Sequence, residues 1–311
     1  MWHAPAKINL WLEIEGRLPD GMHVIDTCCQ AIDLCDTVTL NAASDGGTLV
    51  CSVGGGMAAG VPEGADNLAA RAAELLAERT GHDLRLALAI EKAIPAGAGL
   101  GGGSSDAAAV LLALGRRFAV PDPAHTLRDL ARELGADVPF FLSGGTQLSG
   151  GAGEGLSPVE PPAEQWGVLV YPGVPVSTAW AYRAWGERGG GVPARCGEVV
   201  SDKAGTVRGA ETRSRLPADW KTRGNAFEPI VLDRRPDVGR ALGVLADGHA
   251  AVARMTGSGS AVFALYESAD RRDRDLPRVQ ERIACLPDAR LWPFSCVGYG
   301  AREVAALMPQ A

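Results

Sequence analysis

Pro95-Ala96-Gly97-Ala98-Gly99-Leu100-Gly101-Gly102-Gly103-Ser104-Ser105-Asp106-Ala107-Ala108-Ala109 is the stretch whose reading decides the rest of this chain. Five glycines fall within the seven residues from Gly97 to Gly103, followed by two hydroxyls, an acid and an apolar run. Before it, Leu84 to Ile90 predicts a strand that Pro95 stops. After it, Val110, Leu111, Leu114 and Phe118 fall at helical spacing, with Ser104 or Ser105 as the expected N-cap. A strand, a glycine loop and a helix start make an anion site. Backbone N–H groups come close to a phosphate, and the helix N-terminus adds unpaired donors and positive dipole.

Two familiar phosphate motifs do not fit. Gly97, Gly99 and Gly102 satisfy G-x-G-x-x-G, but the dinucleotide motif needs a strand after the helix. Here Val120-Pro121-Asp122-Pro123 and a second helical pattern follow. A P-loop needs Lys after its last glycine, where this chain has Ser104. A flexible linker has no reason to open directly on a capped amphipathic helix.

Bulk properties bound the remaining choices. The 311 residues are enough for about two domains, and 46% hydrophobic with 22% charged residues is ordinary for a soluble globular protein. A net charge of −7 argues against a general nucleic-acid binder. No run approaches the ~18 apolar residues of a membrane span, and no signal-peptide pattern opens the chain. Seven cysteines without metal-ligand spacing suit a reducing cytoplasm, so no metal site is expected among them.

In chain order, Ile8, Leu10, Leu12 and Ile14 alternate with Lys7, Asn9, Trp11 and Glu13, predicting a strand that projects Lys7 and Asn9 together. Leu18-Pro19-Asp20-Gly21 is a turn signal, leading to a second strand over Met22–Thr27. Residues 41–65 predict a β-meander with a loose loop. Asn67 is the expected cap of a helix over Ala69–Arg79, and Gly135 ends another over Thr126–Leu134. Asp137 then sits between that helix end and an apolar run, a poor place for a merely solvated acid. Pro158, Pro161 and Pro162 mark a boundary, giving domains 1–160 and 161–311. Gly167–Tyr171 predicts a strand, residues 186–222 a long mobile loop, and Asn225–Glu228 the start of a helix. Arg254–Ser260 is a second Gly/Ser turn, expected to join a helix to the strand Ala261–Leu265.

The sequence from Pro95 to Ala108 resembles the phosphate loop of the GHMP kinases (galactose, homoserine, mevalonate and phosphomevalonate kinases). Further segments are similar to that family: Pro5-Ala6-Lys7-Ile8-Asn9-Leu10, Asp20-Gly21-Met22-His23, Gly135-Ala136-Asp137-Val138-Pro139-Phe140-Phe141, and Pro172-Gly173 with Ser177, Thr178 and Tyr182. The resemblance spans roughly residues 4–182 and 224–266. It implies an α+β two-domain fold, with an N-terminal ribosomal-protein-S5-like α/β domain containing a left-handed βαβ crossover and a C-terminal ferredoxin-like α+β domain. The implied reaction moves the γ-phosphoryl of ATP, with Mg²⁺, to the 2-hydroxyl of 4-diphosphocytidyl-2-C-methyl-D-erythritol in the non-mevalonate route to isoprenoid precursors. It also implies a small-molecule partner, with no nucleic acid and no membrane, and leaves the oligomeric state open.

By the same resemblance Lys7 and Asp137 are catalytic. Pro95, Gly97, Gly99, Leu100, Gly101, Gly102, Gly103, Ser104 and Ser105 hold the triphosphate, while Asn67 and Lys92 approach the adenine. Asn9, Asp137 and Thr178 line the acceptor site, His23 hydrogen-bonds the edge of the cytosine, and Tyr182 stacks on it. Met22 stands where the family has Tyr, the chain's clearest departure. Another small-molecule GHMP kinase and a non-catalytic nucleotide sensor remain alternatives, although the presence of both Lys7 and Asp137 argues against the second.

Overall fold

The computed structural model describes residues 1–17, 23–43, 49–150, 155–190 and 214–305. Two long strands, β1 (Trp2–Arg17) and β2 (His23–Ala42), pair antiparallel along most of their lengths. Their register shifts at Pro5/Ala6, Asn9/Trp11 and Ile14/Gly16. The second shift corrects the simple alternation. An extra residue at Leu10 re-aims the strand, so Trp11 packs in one apolar cluster with Ile8 and Leu10, and Leu12 packs in another. Lys7 and Asn9 precede the bulge and keep a common side.

β3 (Leu49–Gly54), α1 (Leu68–Thr80) and β4 (Leu86–Glu91) form a crossover unit whose two strands are parallel neighbours. The expected meander over 41–65 is therefore absent: β3 lies beyond β4, at the sheet edge, not beside β2. Asn67 caps α1 as its sequence position suggests, accepting from the Ala69 N–H at 2.9 Å.

α2 (Gly102–Arg117) begins two residues before Ser104, with Gly101 at its cap position. The expected serine cap is thus a correction. Gly101 has φ +71°, which turns the chain into the helix without a side-chain cap. Ser105 to Leu111 are buried without interruption, as befits a helix covered on every side. α3 (Pro123–Leu134) and α4 (Val138–Ser143) complete this layer. β5 (Thr146–Gly150) pairs with β2, and β6 (Gly155–Pro158) with β5.

A second sheet holds β7 (Trp166–Tyr171) with strands that come later in the chain. α5 (Thr178–Trp185), α6 (Glu228–Arg234) and α7 (Pro236–Ala246) lead to β8 (Val252–Met255) and β9 (Val262–Tyr266). α8 (Ala269–Ile283), β10 (Arg290–Ser295) and β11 (Arg302–Glu303) close the chain. The sheet order is β10-β7-β9-β8, while β11 returns to pair with β1 in the first sheet. Arg254–Ser260 therefore joins two strands, β8 and β9, and not a helix to a strand.

Leu169, Phe263, Leu265 and Phe294 of the second sheet pack with Ile8, Leu10, Trp11 and Ile32 of the first. The two sheets thus meet across β1 and β2, next to Lys7 and Asn9. Part of the predicted mobile loop is packed as well: Trp220 is buried, and Glu160 N–H bonds the Ser214 carbonyl at 2.8 Å. Residues 191–213 lie outside the described residues.

On the far side of the second sheet, the buried Tyr266 hydroxyl donates to Asp275 Oδ2 at 2.8 Å, and Arg278 donates to both Asp275 oxygens. Hydrogen bonds from Arg278, then from Tyr266, hold the Asp275 carboxyl below its usual value despite burial. Its contribution to stability is present above the ordinary carboxylate range and is lost as pH falls through the depressed value. Tyr266→Phe should cost about 1–2 kcal/mol near neutral pH, since Arg278 still satisfies the acid. Urea titrations should show that difference shrinking in acid, and a pH-independent difference would count against the assignment.

Candidate active site

The glycine loop is fixed at three points. Lys7 N–H donates to the Leu100 carbonyl at 3.0 Å, Val176 N–H to that of Gly97 at 2.9 Å, and Ala261 N–H to that of Ala98 at 3.1 Å. It therefore touches β1 and two segments of the second sheet's domain. At Gly99 (φ +78°) a Cβ would lie 2.2 Å from the Thr256 carbonyl oxygen, so only glycine lets the two Gly/Ser loops meet.

The second loop is shaped from behind. Asn225 donates its amide to the carbonyls of Met255 and Gly257, each at 2.9 Å, and Glu228 accepts from Met255 N–H at 2.8 Å. Thr256 then reaches the other strand, its hydroxyl accepting from Asn9 N–H at 2.9 Å. Thr178 and Ser258 hydroxyls lie 2.8 Å apart.

Lys7 and Asp137 sit beneath this seam. The Lys7 ammonium donates to Asn9 Oδ1 at 2.6 Å and lies 3.9 Å from Asp137 Oδ2. Its side chain is 5% exposed whereas that of Asp137 is 49% exposed, so the acid faces outward and the base is held from within. Asn9 is oriented in turn by Thr27, whose hydroxyl accepts from its amide at 2.9 Å. Asp137 occupies the cap position of α4, directly after α3. Cys29 lies 3.4 Å from the Asn9 amide, and burial pushes its thiol up to about 11, which keeps it protonated.

Of the residues expected around the acceptor, the His23 and Tyr182 rings lie 4.6 Å apart with a 31° tilt. Trp185 meets His23 edge-on at 5.6 Å, and Phe227 meets Tyr182 edge-on at 4.8 Å. Partial burial, helped by the Arg17 charge, lowers the His23 pKa, so the ring is neutral at physiological pH. Burial and the Asp137 charge raise that of Tyr182. Met22 lies outside the described residues.

Asn67 and Lys92, expected near the adenine, both make side-chain hydrogen bonds within the protein. Asn67 gives its oxygen to the α1 cap and its amide to the Pro62 carbonyl at 2.8 Å. Lys92 is buried and donates to Asp36 and to Asp106, the latter at 2.7 Å. Sequence reasoning gave no role to Asp36, Asp106, Thr27 or Thr256. Asp36 had a signal: it shares strand parity with Ile32 and Val38, both fully buried, and an acid on that face needs a buried partner.

The first turn of α2 fits a polyphosphate. Among the described residues it has no side-chain cap, and the buried Ser105 hydroxyl has no hydrogen-bond partner. Gly103, the second residue of the helix, has nothing within 4 Å of where a Cβ would stand. Among the described residues no group of three or more His, Cys, Asp or Glu is placed to hold a metal, and no helix is long and apolar enough to cross a membrane.

Comparison with known proteins finds similarity along most of the chain. A family profile described as the GHMP kinases N terminal domain matches residues 67–145, and one described as GHMP kinases C terminal matches residues 214–285. A 4-diphosphocytidyl-2-C-methyl-D-erythritol kinase from Geobacter metallireducens is 38% identical over 269 residues, covering 85% of this chain and 88% of that protein. A protein of the same name from a Polaromonas species is 40% identical over 267 residues, covering 84% and 82%. A crystal structure of 4-(cytidine 5'-diphospho)-2C-methyl-D-erythritol kinase matches with a TM-score of 0.67 at 32% identity, over 95% of this chain and 99% of that one. The L. major mevalonate kinase, with a TM-score of 0.64 at 16% identity over 96% of each chain, shares the fold.

Burial pushes the Asp106 carboxyl above its usual range, against the pull of Lys92 and with the Asp36 charge adding to it. A raised carboxyl favours the folded state at low pH, and that advantage is lost as pH rises through the raised value. Asp106→Asn, which mimics the neutral acid, should therefore gain thermal stability over the parent as pH rises from about 5 to about 9. Melting curves across that range should show the gap widening; a constant gap would contradict the shift.

Proposed function

This chain belongs to the GHMP kinases, and on that premise we propose that it transfers the γ-phosphoryl of ATP to the 2-hydroxyl of 4-diphosphocytidyl-2-C-methyl-D-erythritol. It has the two-domain GHMP fold and is an ATP-dependent kinase. The observation that carries the reading is the double attachment of Lys7. Its backbone is bonded to the glycine loop at Leu100, and its ammonium lies beside Asp137.

Phosphoryl transfer asks the protein mainly for position and charge stabilisation. In this reading, the loop from Pro95 to Ser105, with Gly97, Gly99 and Gly101 to Ser104 between, cradles the triphosphate by its N–H groups. Mg²⁺ accompanies the nucleotide, held chiefly by phosphate and water, and when bound it neutralises charge on the phosphates. The exposed Asp137 carboxylate accepts the hydroxyl proton. Lys7, desolvated and pinned by Asn9, stabilises the forming alkoxide. Asn9 and Thr178 line the acceptor, and His23 with Tyr182 receives the cytosine. The six described cysteines are unpaired, which supports a reducing cytoplasm as the working compartment.

ATP consumption with 4-diphosphocytidyl-2-C-methyl-D-erythritol, against homoserine and mevalonate as alternative acceptors, tests the substrate. Turnover with either alternative alone would overturn the assignment. Asp137→Asn should lower kcat by roughly 10²- to 10⁴-fold with nucleotide affinity nearly intact. Lys7→Ala should act similarly, and the double variant should lose far less than the product of the two.

The loop is tested separately. A Cβ at Gly102 would press on Ile94 at 3.0 Å and Asp36 at 3.2 Å, so a change there disturbs packing, whereas Gly103 faces open space. Gly103→Glu places a carboxylate in the first turn of α2, which favours the helix dipole but repels a triphosphate. Calorimetry should show an unchanged or raised Tm together with an ATP affinity at least about tenfold weaker. Unaltered ATP binding would mean that the loop is not the nucleotide site.

A further inference from the structure

Beneath the glycine loop lies an ion cluster that the reaction above does not use. We infer that Asp36, Lys92 and Asp106 form a positioning clamp that sets the two ends of the phosphate loop, and that the Lys92 ammonium serves the nucleotide through the loop. The inference rests on the loop being the nucleotide site.

The clamp is built from three elements. Asp36, on β2, turns Oδ1 onto the N–H groups of Ala93 and Ile94, at 2.6 and 2.9 Å, immediately before Pro95. Its other oxygen accepts from Lys92, which follows β4. The same ammonium donates to Asp106 Oδ2 at 2.7 Å, in the second turn of α2. One carboxylate therefore holds the entry to the loop, and one ammonium ties that entry to the exit. Gly102 is seated against the same cluster, since its absent Cβ would lie 3.2 Å from Asp36 Oδ2.

Stability alone does not call for such a device. Apolar residues of similar volume often hold elements together as well as a buried ion pair does. What the cluster adds is a geometry with few alternatives, because the three residues are 0%, 4% and 2% exposed and interact in a low dielectric. Phosphoryl transfer is sensitive to that geometry, since a misplacement of about 1 Å can cost 10²-fold. The clamp fixes the uncapped start of α2 relative to Lys7, whose N–H bonds the loop at Leu100.

Asp106→Ala tests this. It leaves Lys92 and Asp36 as a charge-balanced pair, so the chain should fold, checked by circular dichroism and Tm. The exit of the loop is then untied. The expected result is a KM for ATP raised at least about tenfold, with the KM for the acceptor alcohol within about twofold of the parent. Asp106→Asn keeps an oxygen that accepts from Lys92 and should recover most of the lost ATP affinity. An unchanged KM for ATP in the folded Asp106→Ala variant overturns the clamp. So does an equal loss for both substrates, an Asn variant no better than Ala, or an Ala variant that does not fold, since each assigns the cluster to general stability. A parental response in Gly103→Glu strikes the loop assignment itself, whereas one in Asp106→Ala alone strikes only the clamp.

Discussion

The site depends on the close approach of two backbones, at Gly99 and Thr256. No side chain fits between them: a Cβ on Gly99 would overlap the Thr256 carbonyl, and one on Gly257 would lie 2.8 Å from the Gly99 carbonyl oxygen. Each loop comes from a different sheet, so this is where the two halves of the site are joined. Once they touch, Thr256 can hydrogen-bond Asn9, Asn9 can hold Lys7, and Lys7 can lie beside Asp137. The packing of Leu10 and Trp11 against Phe263 and Leu265 brings the sheets together, but apolar contact is non-directional. The glycine contact and its flanking hydrogen bonds give the seam a register.

Charge raises a harder question. The chain carries a net charge of −7, and two acids are buried under the loop read as binding the most highly charged ligand. If both were ionised, the cluster with Lys92 would carry one surplus negative charge in a low dielectric. Burial pushes Asp106 towards its neutral form, which lessens that surplus and leaves Asp36 as the main counter-charge of Lys92. The field at the start of α2 is then set by the helix dipole and by Lys7, both of which favour an anion. The long-range field of the protein is unfavourable to ATP, and the local one is not.

Much of this is legible in the sequence, for identifiable reasons. The strand, glycine loop and helix around residues 86–117 can be read because each has its own local signal, and Asn67 can be read as a cap because capping is local. Lys7 and Asn9 can be placed on one side because alternation holds up to the bulge. Beyond it the reading fails: Trp11 crosses to the other cluster, since nothing in a single strand announces the extra residue its partner will not match. The serine cap fails because a positive φ at Gly101 starts the helix earlier than any hydroxyl could. The meander over 41–65 fails because pairing order is a property of the whole sheet. Lys92, expected near the adenine, continues the inward parity of Leu86, Leu88 and Ile90, as Asp36 continues that of Ile32. An acid and a base on the apolar sides of two neighbouring strands are a pair waiting to be recognised.

In the proposed reaction the aromatic cluster around His23 and Tyr182 receives the cytosine, and its rings are in contact with one another. His23 lies against Tyr182 at 4.6 Å, too close for a base to enter between them, and Phe227 braces the edge of Tyr182 from the core. For a cytosine to stack on the Tyr182 face that His23 now covers, as in the proposed reaction, the two rings have to part. Phe227 is 1% exposed and Tyr182 sits on α5, whereas His23 is the first residue of β2. Its lowered pKa makes that movement cheaper, because a neutral imidazole has no charge to desolvate as a base closes over it. Separating the two rings gives up about 0.5–1.5 kcal/mol, whereas a base stacked on an aromatic face returns about 1–3 kcal/mol. In the proposed reaction the His23–Tyr182 contact is therefore exchanged for a base stacked on Tyr182 at no net loss.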